Sequence, residues 1–359
     1  MEKNGSISYE RYRRVFESEN IGFGKPSQDE CDVCLSYNQH SSDSSTDHNA
    51  ETCLICTNAK AHLERARKAR SEYSKDDSSG SKIYTADMQK IILLPKLTSK
   101  QHFFVSRLVT FNETFACIND PSEPDRVILW HEAISGRSAA DVASAYLKCI
   151  ELSASDNVTF WVDNCSGQNK NWTLYTAMCQ CVNAAWGPQE VTLKYLEKGH
   201  TYMKADSIHG SIGKKMKTEK QIVNFQDFVD ICSHAGKHIL PVVMKVTDFR
   251  DFVGQQRTRK TKKCTLPLLA DICVANFKKG SRALNFKTDF DRQYQSVDFL
   301  KPKFSETALP ERKFQMRGIP SGKKDEILKL LDGVPSSKKR FWLDLPSNDG
   351  IADLVENFD

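Results

Sequence analysis

Residues 83–95, IYTADMQKIILLP, and residues 157–163, NVTFWVD, decide the fold. In the first stretch the two-residue alternation of a strand puts Ile83, Thr85, Asp87 and Gln89 on one face, and Pro95 ends the run. The second is dense in β-branched and aromatic residues and stops at Asp163. Between them HFFVSRLVTF (102–111) and ETFACIN (113–119) read as two short strands and RVILWHEAI (126–134) as another; their short links imply an antiparallel meander. SGRSAADVASAYLKCIEL (135–152) then opens a helix, with Ser138 as N-cap, Asp141 three residues on, and Val142, Ala145, Tyr146 and Ile150 at helical spacing. After residue 163 come a helix through NWTLYTAMCQCVNAA (171–185), a strand at VTLKYLE (191–197) and a last helix starting near Asp206.

In that order the first strands spread one way, and the crossover helix returns the chain to pair the later strand beside the first. The layout is α/β, an RNase H-like mixed five-stranded sheet flanked by helices. An open sheet of this kind presents its crevice where the strand order reverses, at the carboxyl ends of the strands. Asp87 and Asp163 converge there, and Asp206 closes the third side. Three carboxylates suit Mg²⁺ or Mn²⁺, hard cations that take oxygen ligands. Two such ions about 4 Å apart activate a water or hydroxyl and stabilise the leaving oxygen of a phosphodiester. Singly, each acid also has a plainer explanation, with Asp163 and Asp206 as helix caps and Asp87 as one polar residue on a half-exposed strand. The joint pattern favours the metal.

The segment ahead of this core has a different character. Residues 1 to about 30 carry Tyr9, Tyr12, Val15 and Phe16 at the spacing of one helical face. CDVC and CLIC then place Cys31, Cys34, Cys53 and Cys56 as C-x2-C-x18-C-x2-C, in which each pair wraps one side of a tetrahedral zinc ion. The alternatives are buried thiols on a helix through AKAHLERARKARSEY (59–73), or a site completed by His40, His48 or His62. SKDDSSGS (74–81) is a flexible connector. The expected division is therefore 1–75, helical and cysteine-rich; 76–255, the core; and 256–359, a basic linker and helical C-terminal extension around DEILKLLDG (325–333). Within the core's last part, IVNFQDFVDICSHAGKHILPVVMKVTDF (222–249) reads as a helix and a strand. RTRKTKKC (257–264) supplies Arg257, Arg259, Lys260, Lys262 and Lys263, a run that suits a nuclear localisation signal, a phosphate contact or a solvated loop.

A chain of 359 residues with 39% apolar content carries two or three folding units and a real core. Its polar start and short apolar runs support neither secretion nor membrane insertion. Twelve cysteines are then expected as thiols or metal ligands in the nucleus or cytoplasm. A net charge of +5 permits a nucleic-acid partner without requiring one. Nothing in the pattern speaks for or against an oligomer. There is no nucleotide-binding glycine loop, no serine or cysteine nucleophile motif and no repeat.

SYERYRRVFESENIGFGKPSQDECDVC (8–34), ADMQKIILLPKL (86–97), FWVDNCSGQNKNWTLY (160–175), KGHTYMKADSIHGSIGKKMK (198–217) and RGIPSGKKDEILKLLDGVP (317–335) resemble successive blocks of a family of transposon-derived proteins of animal genomes. The likeness runs in order over nearly the whole chain. Its central part is similar to the catalytic core of DDE-type transposases and other RNase H-like nucleases. That resemblance implies that Asp87, Asp163 and Asp206 are the acidic motif positions, with Asn164, Gln168, Asn169, His200 and His209 around them. Gln168 and Asn169 would orient water or phosphate oxygens, and His200 and His209 would act as supporting donors or proton carriers. It also implies an acid one or two turns beyond the last histidine, where this chain has Gly213, Lys214 and Lys215. Two functions follow as expectations. One is a divalent-metal-dependent nuclease or strand-transfer enzyme acting on nucleic acid, DNA first; the other is a catalytically silent, zinc-containing module for DNA or protein binding.

Overall fold

The computed structural model describes Arg14 and residues 31–42, 53–76, 80–99, 104–257, 260–261 and 264–354. The helical face expected in residues 1–30, the candidate ligand His48, and Arg259, Lys262 and Lys263 lie outside the described residues. The chain divides into two compact units, Met1–Ala61 and His62–Asp359. In the first are α1 (Asp32–Ser42) and the opening turns of α2 (Leu54–Lys75). Asp32 in the first turn of α1 and His40 in its last turn suit the ends of the helix dipole. No helix among the described residues is long and apolar enough to cross a membrane.

The second unit is a mixed sheet with helices on both faces. Its strands are β1 (Lys82–Met88), β2 (Ile92–Leu94), β3 (Leu108–Cys117), β4 (Asp125–His131), β5 (Asn157–Val162), β6 (Glu190–Tyr195), β7 (Ile239–Val243), β10 (Val274–Lys278), β11 (Ala283–Lys287) and β12 (Gln295–Asp298), while β8 (Lys260–Thr261) and β9 (Cys264–Thr265) form a separate pair. The order is β12-β11-β10-β6-β5-β1-β3-β4-β7, with β2 pairing on β3. β1 runs antiparallel to β3 and parallel to β5, so the crossover through α3 (Ala139–Ser153) returns the chain beside β1. Ser138 and Asp141 cap α3 reciprocally. Side chains of β1 alternate between the two faces of the sheet. Tyr84, Ala86 and Met88 pack with α3 and α4 (Trp172–Asn183), and Thr85 on the other face meets α5 (Lys204–Thr218) by accepting from the Ala205 N–H at 3.1 Å. α6 (Phe225–Ser233), α7 (Ser321–Leu330) and α8 (Ser336–Asp344) pack with Ile208 and Ile212 of α5 through Phe228, Ile327 and Trp342.

Three expectations change. Among the described residues the sheet has ten strands rather than five, because β7 joins β4 in parallel and β10–β12 continue it beyond β6. Residues 256–359 are thus part of the same compact unit as the core. The run 83–95 is not one strand: Gln89 donates to the His209 carbonyl and accepts from Asn112, and the chain leaves the sheet before re-entering as β2. Finally, 108–117 is one wholly buried strand rather than two, with Asn112, Glu113 and Thr114 at its middle. Those three polar residues look like a break only when strands are expected to expose one face.

Candidate metal centre

α5 carries Asp206 and His209 three residues apart, on one helical face directed at the end of β1. One ligand atom each from Asp87, Asp206 and His209 lies within 4.8 Å of the others. The Asp206 Oδ2 also accepts from the Met203 N–H at 2.7 Å, so this carboxylate caps the helix as well as facing Asp87. Nδ1 of His209 is 3.6 Å from Oδ2 of Asp87. Burial drives the His209 imidazole down to about 4, so the ring is neutral there and this contact is not an ion pair. Its Nε2 is buried without a hydrogen-bond partner. The Asp87 carboxyl is pushed up to about 7, first by burial and then by the charges of Asp163 and Asp206.

Asp163 follows β5 directly and stands on the strand beside Asp87, but it is not one of the three mutually close ligands. Its Oδ1 accepts from the Cys165 N–H at 2.9 Å and from the Asn169 amide at 2.7 Å. Asn169 is itself fixed, taking the Tyr146 hydroxyl at 2.7 Å on its side chain and the Tyr195 hydroxyl at 2.8 Å on its carbonyl. It therefore sets the angle of Asp163 rather than facing solvent. Asn164 is occupied by Lys170 at 2.6 Å and by the Leu196 carbonyl, and Gln168 reaches the Met88 sulfur at 3.8 Å. A cleft of about 980 Å³ opens beside Asn164; Arg65, Lys170, Lys198 and Arg292 line it together with Glu197, Asp271 and Asp289.

Sequence reasoning missed Glu113. It is wholly buried on β3, both carboxyl oxygens lack a hydrogen-bond partner, and its pKa stands well above the usual range, chiefly through burial and then through Asp87 and Asp163. Its signal in the sequence is an acid inside a β-branched, aromatic run, F-N-E-T-F. Among the ion pairs of the described residues none joins a Lys or Arg to Asp87, Glu113, Asp163 or Asp206, and the nearby cation that acts on Glu113 is the Arg137 guanidinium. Four acids without an ion-paired Lys or Arg, beside a neutral imidazole with an orphaned nitrogen, fit a divalent cation held by oxygen and one nitrogen.

His200 stands apart from the Asp87 group, its ring 5.0 Å from that of His62. Burial first, then His62, holds its pKa below the ordinary value. Arg257 is engaged internally, with Asp298 at 2.7 Å and the Leu300 carbonyl at 2.7 Å. Lys260 lies in β8. In the first unit, His40, Cys53 and Cys56 bring ligand atoms within 4.8 Å of one another, with Cys53 Sγ 3.3 Å from His40 Nε2. This group is able to hold a metal such as zinc, and it replaces the expected single set of four cysteines: Cys31 and Cys34 are not among its members.

Residues 151–288 match the profile of a domain of unknown function, DUF7869. The match takes in Asp163, His200, Asp206 and His209 and leaves Asp87 and Glu113 outside it. Comparison with curated proteins and with solved structures finds no match to the chain.

Proposed function

We propose that the chain is a transposase-derived protein with an RNase H-like core, and that Asp87, Asp163, Asp206 and His209 form a divalent-metal centre for cleaving or transferring nucleic-acid phosphodiesters. The observation that carries this reading is the convergence of Asp87, Asp206 and His209 within 4.8 Å at the end of the parallel β1–β5 pair. The contiguous order β6-β5-β1-β3-β4 supports the core assignment, since it is the order the three acids need to meet. A bound Mg²⁺ or Mn²⁺ supplies the activation of water or a hydroxyl and the stabilisation of the leaving oxygen. The protein's own part is positional. Asn169 fixes Asp163, Gln89 ties the exit of β1 to the His209 carbonyl, and Thr85 docks the first turn of α5. DNA is the proposed partner, and the basic residues of the neighbouring cleft offer phosphate contacts. His40, Cys53 and Cys56 are proposed as ligands of a zinc ion in the first unit, thiolate and imidazole being its usual donors.

A second reading, a silent zinc-containing binding module, is favoured by the Asp206 carboxylate's bond to Met203 and by the lack of an acid at Gly213. One assay separates them. Purified full chain with Mg²⁺ or Mn²⁺ is expected to nick supercoiled DNA. Asp163→Asn keeps an oxygen for Cys165 and Asn169 to bond, and is expected to lower nicking at least about 100-fold at unchanged melting temperature. No metal-dependent nicking by the wild type decides for the silent module. Nicking untouched by Asp163→Asn and by Asp87→Asn places the activity outside this centre.

A further inference from the structure

The second unit holds another donor group that the carboxylate centre does not use. His62, on α2 and only 4% exposed, directs Nδ1 at Oε1 of Glu197, 2.9 Å away. Arg65, three residues on, sets its NH2 and Nε on the same oxygen at 2.9 and 3.2 Å. The carboxylate is thereby held from one side while it holds the imidazole on the other, which puts the ring proton on Nδ1 and the lone pair on Nε2. His200 lies three residues beyond Glu197. Its N–H donates to the Glu197 carbonyl at 2.9 Å and its carbonyl accepts from Arg70 at 3.1 Å, so the turn that carries the ring is fixed at both ends. The two rings are 5.0 Å apart and tilted by 50°, and their ligand nitrogens lie within 4.8 Å of each other.

Packing alone does not require a carboxylate locked by an arginine to orient one imidazole toward another. Metal ligation does: a ligating histidine commonly gives its other N–H to a carboxylate, which fixes its tautomer and raises its basicity. We propose that His62 and His200 are two ligands of a structural zinc ion, with Glu197 and Arg65 as positioning residues. Two imidazoles fill half of a tetrahedral shell and leave two places for thiolates, the donors that accompany paired histidines in structural zinc sites. His200 then belongs to this site and not to the Asp87 centre, in keeping with its separation from that group.

The test uses the full chain purified with zinc. The His62→Gln, His200→Gln double variant is expected to lose one equivalent of zinc by elemental analysis, while Asp87→Asn keeps the wild-type content. Wild-type protein without zinc, or a double variant that retains its full content, overturns the proposal. Because His62 is buried, the double variant is paired with Glu197→Gln, which preserves size and a hydrogen bond. Its zinc affinity, read by competition with a chromophoric chelator, is expected to fall roughly 10- to 100-fold, and an unchanged affinity counts against the site. If the double variant does not fold, zinc-edge X-ray absorption of the wild type decides. More than one imidazole per zinc on average supports the pair, since the His40 group supplies one at most; one or fewer overturns it.

Discussion

Glu132, just after β4, and Glu113, in the middle of β3, are both wholly buried in the same unit, and their surroundings are opposite. Glu132 accepts from the Val109 N–H at 2.8 Å, from Lys323 at 2.5 Å and from Arg317 at 3.5 Å. Lys323 also holds Asp353 at 2.6 Å, and Asp353 takes the Ser106 hydroxyl. Every charge in that group has a fixed partner from the same chain, and the group ties α7 and the segment beyond α8 to the sheet. Glu113 has no hydrogen-bond partner; burial and then the charges of Asp87 and Asp163 raise its pKa, and the Arg137 guanidinium offsets them only in part. A buried carboxylate that meets a fixed cation is part of the scaffold. One whose nearest charges are mainly carboxylates is stable as the neutral acid or beside a cation from solution, which is how the structural cluster and the proposed metal centre differ in one fold.

The largest effect expected from this contrast is on stability. Lys323→Met removes the buried cation shared by Glu132 and Asp353, leaving Glu132 the more distant Arg317, and is expected to cost about 3–5 kcal/mol by denaturant unfolding. Glu113→Gln replaces an acid whose charged form burial disfavours by a neutral amide of the same shape and is expected to cost less than about 1 kcal/mol without metal. Equal losses in the two variants would erase the distinction drawn between the two glutamates.

His131 is a base buried in the same unit without an ion pair among the described residues. It ends β4 between the rings of Phe225 and Phe341, at 4.9 and 5.6 Å, and burial takes its pKa down to about 3. The unfolded chain binds a proton near pH 6.5 that the folded protein refuses. Through this group stability is therefore complete above pH 6.5 and declines as pH falls toward 3, by roughly 1.4 kcal/mol per pH unit. His131→Leu should flatten that part of the unfolding profile between pH 7 and 4.5. An unchanged slope means the ring is protonated in the folded state.

The central strand order was legible because it rests on patterns the sequence displays directly: the run at 157–163, the Ser138–Asp141 cap, and short links that force hairpins. β10–β12 were not, because charged residues at 278–282 and 287–292 give that stretch the look of an extension while its apolar residues, Val274, Phe277 and Leu284, pack into the core. Asp87 and Asp206 were legible from their places on the expected first strand and last helix, and His209 only through the family resemblance. The role of Asn169 was not, because its partners Tyr146 and Tyr195 are 23 and 26 residues away and meet it only through the fold. Glu113 was hidden by the assumption that polar residues in a strand face water. His200 entered the expected site through the family resemblance; in the fold it follows Gly199 (φ 77°) and its ring lies 5.0 Å from that of His62, outside the Asp87, Asp206 and His209 group.

The smallest effect concerns Gly213, which sits one turn past His209 on the face of α5 that carries Asp206. A side chain built there meets nothing within 4 Å. Glycine inside a helix costs about 0.5–1 kcal/mol relative to alanine, so Gly213→Ala is expected to stabilise the protein by that amount. Gly213→Glu adds a carboxylate on the same face, four residues beyond His209, where it joins acids without an ion-paired Lys or Arg. Without metal this variant should be less stable than Gly213→Ala, because like charges crowd the site. With Mn²⁺ the gap should close and the ion should bind more tightly than to the wild type, by thermal shift and by titration calorimetry. A gap that stays the same with and without Mn²⁺ would mean that this face of α5 does not feel a bound cation, and the comparison between a scaffold cluster and a metal centre would lose its metal half.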